Sequence, residues 1–207
     1  PAAAAVELRK DTPSVVLTLV PRQLGALEAR LGFEYADVRV TSDGRYVRAG
    51  ERLWIERDAT AEALARQRLL DFGFSPTYTS SDTFVALGDA ALDFVSSHLK
   101  GLGSDWKIYG AEALDDFRVS RKKFDLSINV DAGSGIEWFT LDITAKAGDH
   151  VIDIVTLQRA LVSGERYMQL SDGSHVEIPR DRLVKLSEAL NTVQARPEPD
   201  GKFRVNL

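Results

Sequence analysis

Residues 124–131 read Phe-Asp-Leu-Ser-Ile-Asn-Val-Asp, so Phe124, Leu126, Ile128 and Val130 alternate strictly with polar neighbours. A helix would scatter these apolar groups around its circumference, whereas a strand sends every second side chain to one face. The segment therefore reads as a half-buried strand, apolar on one side and wet on the other, as antiparallel sheets require. Gly133-Ser134-Gly135 turns the chain, and Ile136–Thr144 returns with Phe139, Leu141 and Ile143 on one face. Ile136 and Trp138 fall on the other face, so either a bulge intervenes or both faces are covered.

Short strands and helices alternate elsewhere. Residues 14–20 form a β-branched run closed by Pro21. Residues 33–41 form a second strand, Arg45–Arg48 a third reached through Ser42-Asp43-Gly44, and Arg52–Glu56 a fourth. Asp58 caps a helix with Ala61, Ala65, Leu69 and Phe72 on one face, ended by Gly73. Thr83–Leu87 is a short strand, and Asp89 caps a helix carrying Leu92, Val95 and Leu99. Beyond Gly101-Leu102-Gly103-Ser104, Ile154, Leu157 and Leu161 mark a helix that Gly164 ends. Tyr167–Leu170 and His175–Ile178 flank Ser171-Asp172-Gly173, and a three-residue loop with Gly173 left-handed sets Met168 opposite Val176. Pro179 leads a last helix with Leu183, Leu186, Leu190 and Val193 on one stripe.

These elements predict an α+β fold: mainly antiparallel sheets with about four helices, near 60–72, 89–99, 153–163 and 180–192, packed on one face. The 207 residues admit one large domain or two smaller ones. The expected division is a β-rich subdomain with two helices over 1–104, an α+β subdomain over 105–196, and a stiff Pro-containing linker over 197–207. Both halves pass through a Ser-Asp-Gly turn toward a helix, which raises a duplicated unit against the plain commonness of such turns.

Chemistry is sought and largely not found. Gly-Lys occurs once, at Gly201-Lys202, and Phe203 follows it, so the phosphate-wrapping P-loop is missing. Gly101-x-Gly103 meets Trp106 where a dinucleotide fingerprint needs glycine. No Gly-x-Ser-x-Gly elbow occurs, and Ser171-Asp172-Gly173-Ser174-His175 packs its serine, aspartate and histidine into one turn, where they cannot line up as a relay. Asp149-His150-x-x-Asp153 offers too few ligands for a closed zinc site, and a loop with Asp153 capping a helix accounts for it better. His150 and Asp153 are also all that supports an unnoticed hydrolase site. His98 reads as a helix-rim residue, Asp115-Asp116 as a solvated turn, and Trp54, Trp106 and Trp138 as core. No catalytic residue, metal or cofactor is expected.

Arg118, Arg121, Lys122 and Lys123 form the one clear basic cluster, just before the best strand. Four cations in six residues can hold a phosphate backbone locally, although Glu112, Asp115 and Asp116 precede them and a solvated hairpin end is the competing account. The net charge of −5 excludes broad nucleic-acid binding by the whole surface. The chain has no cysteine, consistent with a cytoplasmic location. No apolar run reaches membrane-spanning length, and Ala2–Ala5 is not a signal peptide. Pro1 in place of Met, and an end inside the Phe203, Val205, Leu207 alternation, lead to the expectation of a piece trimmed from a larger protein.

Taken in order, Trp106-Lys-Ile-Tyr109, Gly135-Ile-Glu-Trp138-Phe139-Thr-Leu-Asp142-Ile143, Leu157-x-x-Ala160-Leu161-x-x-Gly164, Leu170-Ser-Asp172-Gly173-Ser174, Ile178-Pro179 and Leu183-x-x-Leu186 resemble the bacterial Swi/Snf-type helicase-associated domain. The likeness is clearest over 105–195. It implies a non-catalytic accessory domain that precedes an ATPase motor in the same chain and docks on it or modulates it. It also implies DNA or RNA as a partner of the assembly; that no membrane is expected rests on the lack of a spanning apolar run. Direct nucleic-acid binding through Arg118, Arg121, Lys122 and Lys123 is the alternative.

Overall fold

The computed structural model describes residues 6–40, 44–78, 80–120, 122–131, 138–198 and 201–206. The chain forms two compact units, Pro1–Arg118 and Val119–Leu207. The division falls after Arg118 and not at the Gly101–Ser104 break. Trp106–Tyr109 forms a strand paired parallel with Val15–Thr18, which ties that stretch to the first unit.

The first unit begins with β1 (Glu7–Lys10), β2 (Ser14–Arg22) and β3 (Ala26–Tyr35), followed by β4 (Val38–Arg39), β5 (Tyr46–Arg48) and β6 (Leu53–Glu56). Helix α1 (Ala59–Asp71) leads to β7 (Ser75–Thr77) and β8 (Ser80–Leu87). Then α2 (Asp89–Asp93), a π turn (Phe94–His98) and α3 (Leu99–Leu102) run on as one helix, and β9 (Trp106–Tyr109) follows. A six-stranded sheet has the order β7-β8-β3-β2-β9, with β4 on β3, and a three-stranded sheet has the order β1-β6-β5. All pairs are antiparallel except β1–β6 and β2–β9.

The core of this unit follows the two-residue period. Leu27, Ala29, Leu31, Phe33 and Tyr35 of β3 are buried, each separated from the next by a more exposed residue. The strand expected over 33–41 is thus the end of a longer one. It stops at Ala36 and Asp37, both with positive φ, and reverses into β4. The strands flanking Ser42-Asp43-Gly44 do not pair with each other; β5 pairs with β6. The duplicated-unit idea fails there, and Ser42 and Asp43 themselves lie outside the described residues. Pro21 does not close β2, which continues to Arg22. β9 reaches only Thr18, so Pro21 sits where β2 has become an edge and tolerates a missing N–H. Asp58 caps α1 as expected, accepting from the Ala61 N–H at 2.9 Å. Asp89 is the first helical residue and Gly88 holds the cap position.

The second unit contains β10 (Phe124–Asp131), β11 (Trp138–Ala147), β12 (His150–Ile152) and α4 (Ile154–Ser163). After them come β13 (Tyr167–Gln169), β14 (His175–Glu177), α5 (Arg180–Thr192), β15 (Arg196–Pro197) and β16 (Phe203–Asn206). The main sheet has the order β10-β11-β16-β15, with β12 also on β11. Phe139, Leu141 and Ile143 share a face as expected, and the register of β11 with β10 and β16 is regular, so no bulge intervenes among the described residues; Ile136 lies outside them. Trp138, on the opposite face, is half-buried under the Arg204 guanidinium, 4.1 Å from its ring centre. The Gly133–Gly135 turn lies outside the described residues.

The β13–β14 hairpin sets Met168 opposite Val176, with Gly173 at φ +79°, as turn chemistry predicts. The described residues of 197–207 form paired strands and not a linker. β15 and β16 form a hairpin, and Phe203 and Val205 are buried against Leu141 and Ile143. The alternation at the end of the chain is a strand because it covers apolar surface on β11.

Candidate nucleic-acid interface

The basic stretch 118–123 lies between two apolar anchors, Phe117 and Phe124, each less than one-tenth exposed. Arg118 closes the first unit, just after the 3-10 turn Asp115–Phe117, and is exposed. Arg121 lies outside the described residues. In the second unit, Val119 bridges His175 in parallel fashion, and the Ser120 N–H donates to the His175 carbonyl at 2.6 Å. Lys123 is exposed, while its backbone carbonyl accepts from the Gly148 N–H.

Lys122 is turned back onto its own unit. Its ammonium reaches His150 Nε2 at 2.8 Å and Asp172 Oδ2 at 3.3 Å. His150 Nε2 also lies 3.3 Å from Asp172 Oδ2, and Nδ1 lies 2.9 Å from Ser171 Oγ. The Ser174 hydroxyl and N–H, followed by Lys122, hold the Asp172 carboxyl well below the usual carboxylate range. The aliphatic stem of Lys122 crosses Gly148, whose φ is +58°, and a Cβ there would come within 2.9 Å of Lys122 Cδ. Lys122 is thus matched by a carboxylate. Arg118 and Lys123 remain exposed without an ion pair among the described residues.

The other candidates take ordinary structural positions. Asp153 caps α4, accepting from the Thr156 N–H at 2.8 Å, while His150 points to the Lys122–Ser171 cluster; the two share no partner. Among the described residues no group of His, Asp and Glu is placed to hold a metal. Asp115 and Asp116 are exposed in their turn, and His98 stacks on Phe72 at 4.5 Å. Trp106 is buried as expected of core, but Trp54 is 36% exposed. The stripes on α4 and α5 leave an open groove of about 410 Å³ between them, lined by Leu157, Leu161, Leu186, Leu190 and Phe203 among others.

Sequence reasoning missed a buried charge in the first unit. Glu62 of α1 is 3% exposed and receives two Arg57 N–H bonds, at 2.8 and 2.6 Å, and the Tyr35 O–H at 3.0 Å. Burial works to raise the Glu62 carboxyl, but Arg57, Tyr35 and the nearby Arg66 outweigh it and leave it below its ordinary value. Burial, reinforced by Glu62, pushes the Tyr35 hydroxyl up to about 12. The usable signal was Arg57 placed five residues before Glu62, beside a capping aspartate.

A family described as bacterial SNF2 helicase associated matches residues 7–207 of this chain. No curated protein matches it.

Proposed function

Because the chain belongs to the bacterial SNF2 helicase-associated family over essentially its whole length, we propose that it is a non-catalytic accessory domain that docks on, or modulates, an adjoining ATPase motor. The family match across residues 7–207 is the observation that carries this reading. The missing P-loop supports it, since ATP chemistry then belongs to a neighbour. The reading extends to a bacterial cytoplasmic setting and to DNA or RNA as the substrate of the assembly. Titration of the chain into the separately purified motor tests docking. Saturable one-to-one binding is the expected result, and heat or signal changes no larger than dilution would contradict it.

The second reading is direct nucleic-acid binding through Arg118, Arg121, Lys122 and Lys123. It is favoured by Arg118 and Lys123 standing exposed beside buried phenylalanines, which fix their backbone. With Lys122 matched by Asp172, the site is weaker than its sequence suggests. Fluorescence anisotropy with labelled DNA at low salt should show weak binding that falls steeply with added salt and is lost in Arg118→Glu/Lys123→Glu. Flat anisotropy at low salt would end this reading.

A further inference from the structure

β10 ends the main sheet of the second unit, and among the described residues it pairs only with β11. Natural edges are usually shortened, bulged, broken by proline or guarded by charge, and the charges of β10, Asp125 and Asp131, lie on the face opposite its apolar residues. β10 has eight residues, no proline and a regular register. The Gly148 N–H donates to the Lys123 carbonyl, so residue 123 turns its backbone groups toward β11. Backbone direction alternates along an antiparallel ladder. Phe124, Leu126, Ile128 and Val130 therefore point N–H and C=O outward from the sheet. On the apolar face of the same edge, Ile128 is 47% and Val130 64% exposed.

We propose that β10 pairs antiparallel with β10 of a second copy of this chain, centred on Ser127, to form one continuous sheet. The sequence of the strand selects both the partner and the register. A two-fold axis through Ser127 sets Leu126 opposite Ile128, Phe124 opposite Val130, Asp125 opposite Asn129 and Lys123 opposite Asp131, each pair occurring twice. Apolar residues meet apolar ones and the terminal charges are opposite. Centring on Ile128 would set Asp125 against Asp131 twice, which is repulsive. Centring on Leu126 would set Val130 twice against Lys122, a charged side chain already held by Asp172. A shift by one residue would put apolar side chains opposite polar ones. In the Ser127 register the outward N–H and C=O groups of Leu126 and Ile128 satisfy each other, and so do those of Phe124 and Val130. Ile128 and Val130 are then covered by the partner's Leu126 and Phe124.

Ser127 meets its symmetry mate on the axis in a pair without backbone hydrogen bonds, where Cβ atoms come closest, near the ~4.5 Å that a disulfide spans. The chain has no cysteine, so Ser127→Cys would carry its only thiol. Mild oxidation should convert Ser127→Cys largely to a covalent dimer. Asp125→Cys and Asn129→Cys should each stay monomeric alone and cross-link when mixed. Adding Asp131→Lys to Ser127→Cys should abolish the cross-link, and further adding Lys123→Asp should restore it. Sedimentation of the unaltered chain should show a concentration-dependent dimer. A monomer at every concentration, or equal cross-linking at all three cysteine positions, would overturn the proposal.

Discussion

Glu62 shows what a single residue costs when its charge is taken out of water. A carboxylate at 3% exposure persists because Arg57 and Tyr35 supply the hydrogen bonds that water would have made. Glu62→Gln leaves the part-buried Arg57 guanidinium against a neutral group, and removing one partner of such a pair costs up to about 3–5 kcal/mol. Urea denaturation at neutral pH checks this. The pH dependence follows from the lowered folded value. The unfolded carboxylate titrates near 4.5, so the stabilisation is complete above that pH and fades as pH falls through the lower folded value. Glu62→Gln should lack that acid slope. Gly148 is a second single-residue requirement. Its left-handed backbone and the Lys122 stem above it leave no room for a methyl group. Gly148→Ala should cost about 1–2 kcal/mol from the backbone alone and displace Lys122 from Asp172. Neither role was read from the sequence. A glutamate on a helix reads as solvated by type, and Tyr35 lies 27 positions away from it.

Elements whose signals are local were legible; those made by distant pairing were not. The β13–β14 hairpin, the Asp58 and Asp153 caps and the four helical stretches each rest on residues within one or two turns of each other. The turn between β3 and β4 carries Ala36 and Asp37, without the Asn-Gly or Asp-Gly pair that marks positive-φ turns, so one long strand was expected in its place. The terminal hairpin was read as a linker from its prolines, although Pro197 sits on an edge strand that tolerates it. Its buried partner, β11, is about sixty residues earlier in the chain. The two accounts differ at Phe203. As a core residue, Phe203→Ala should cost about 3–5 kcal/mol. A linker residue would change stability by roughly 0.5 kcal/mol or less. Thermal unfolding of the variant separates them.

At the scale of the whole molecule, the family was legible because its pattern is one of packing and turns in a fixed order, and the match to residues 7–207 extends it beyond the 105–195 region where the resemblance was clearest. The candidate site was legible only as a run of basic letters. That Lys122 is spent on Asp172 and His150 depends on β12 and the β13–β14 turn, which lie far along the chain. A net charge of −5, and a basic stretch in which Arg118 and Lys123 are the exposed cations without an ion pair among the described residues, are a poor match to a duplex but no obstacle to contact with a motor. The central claim is that this chain acts through a neighbouring ATPase. The most direct measurement is DNA-stimulated ATP turnover of the parent helicase with and without residues 7–207. The accessory-domain account predicts a clear change in stimulated turnover on deletion, with no turnover by the isolated chain. Identical stimulated rates in the two proteins would contradict it.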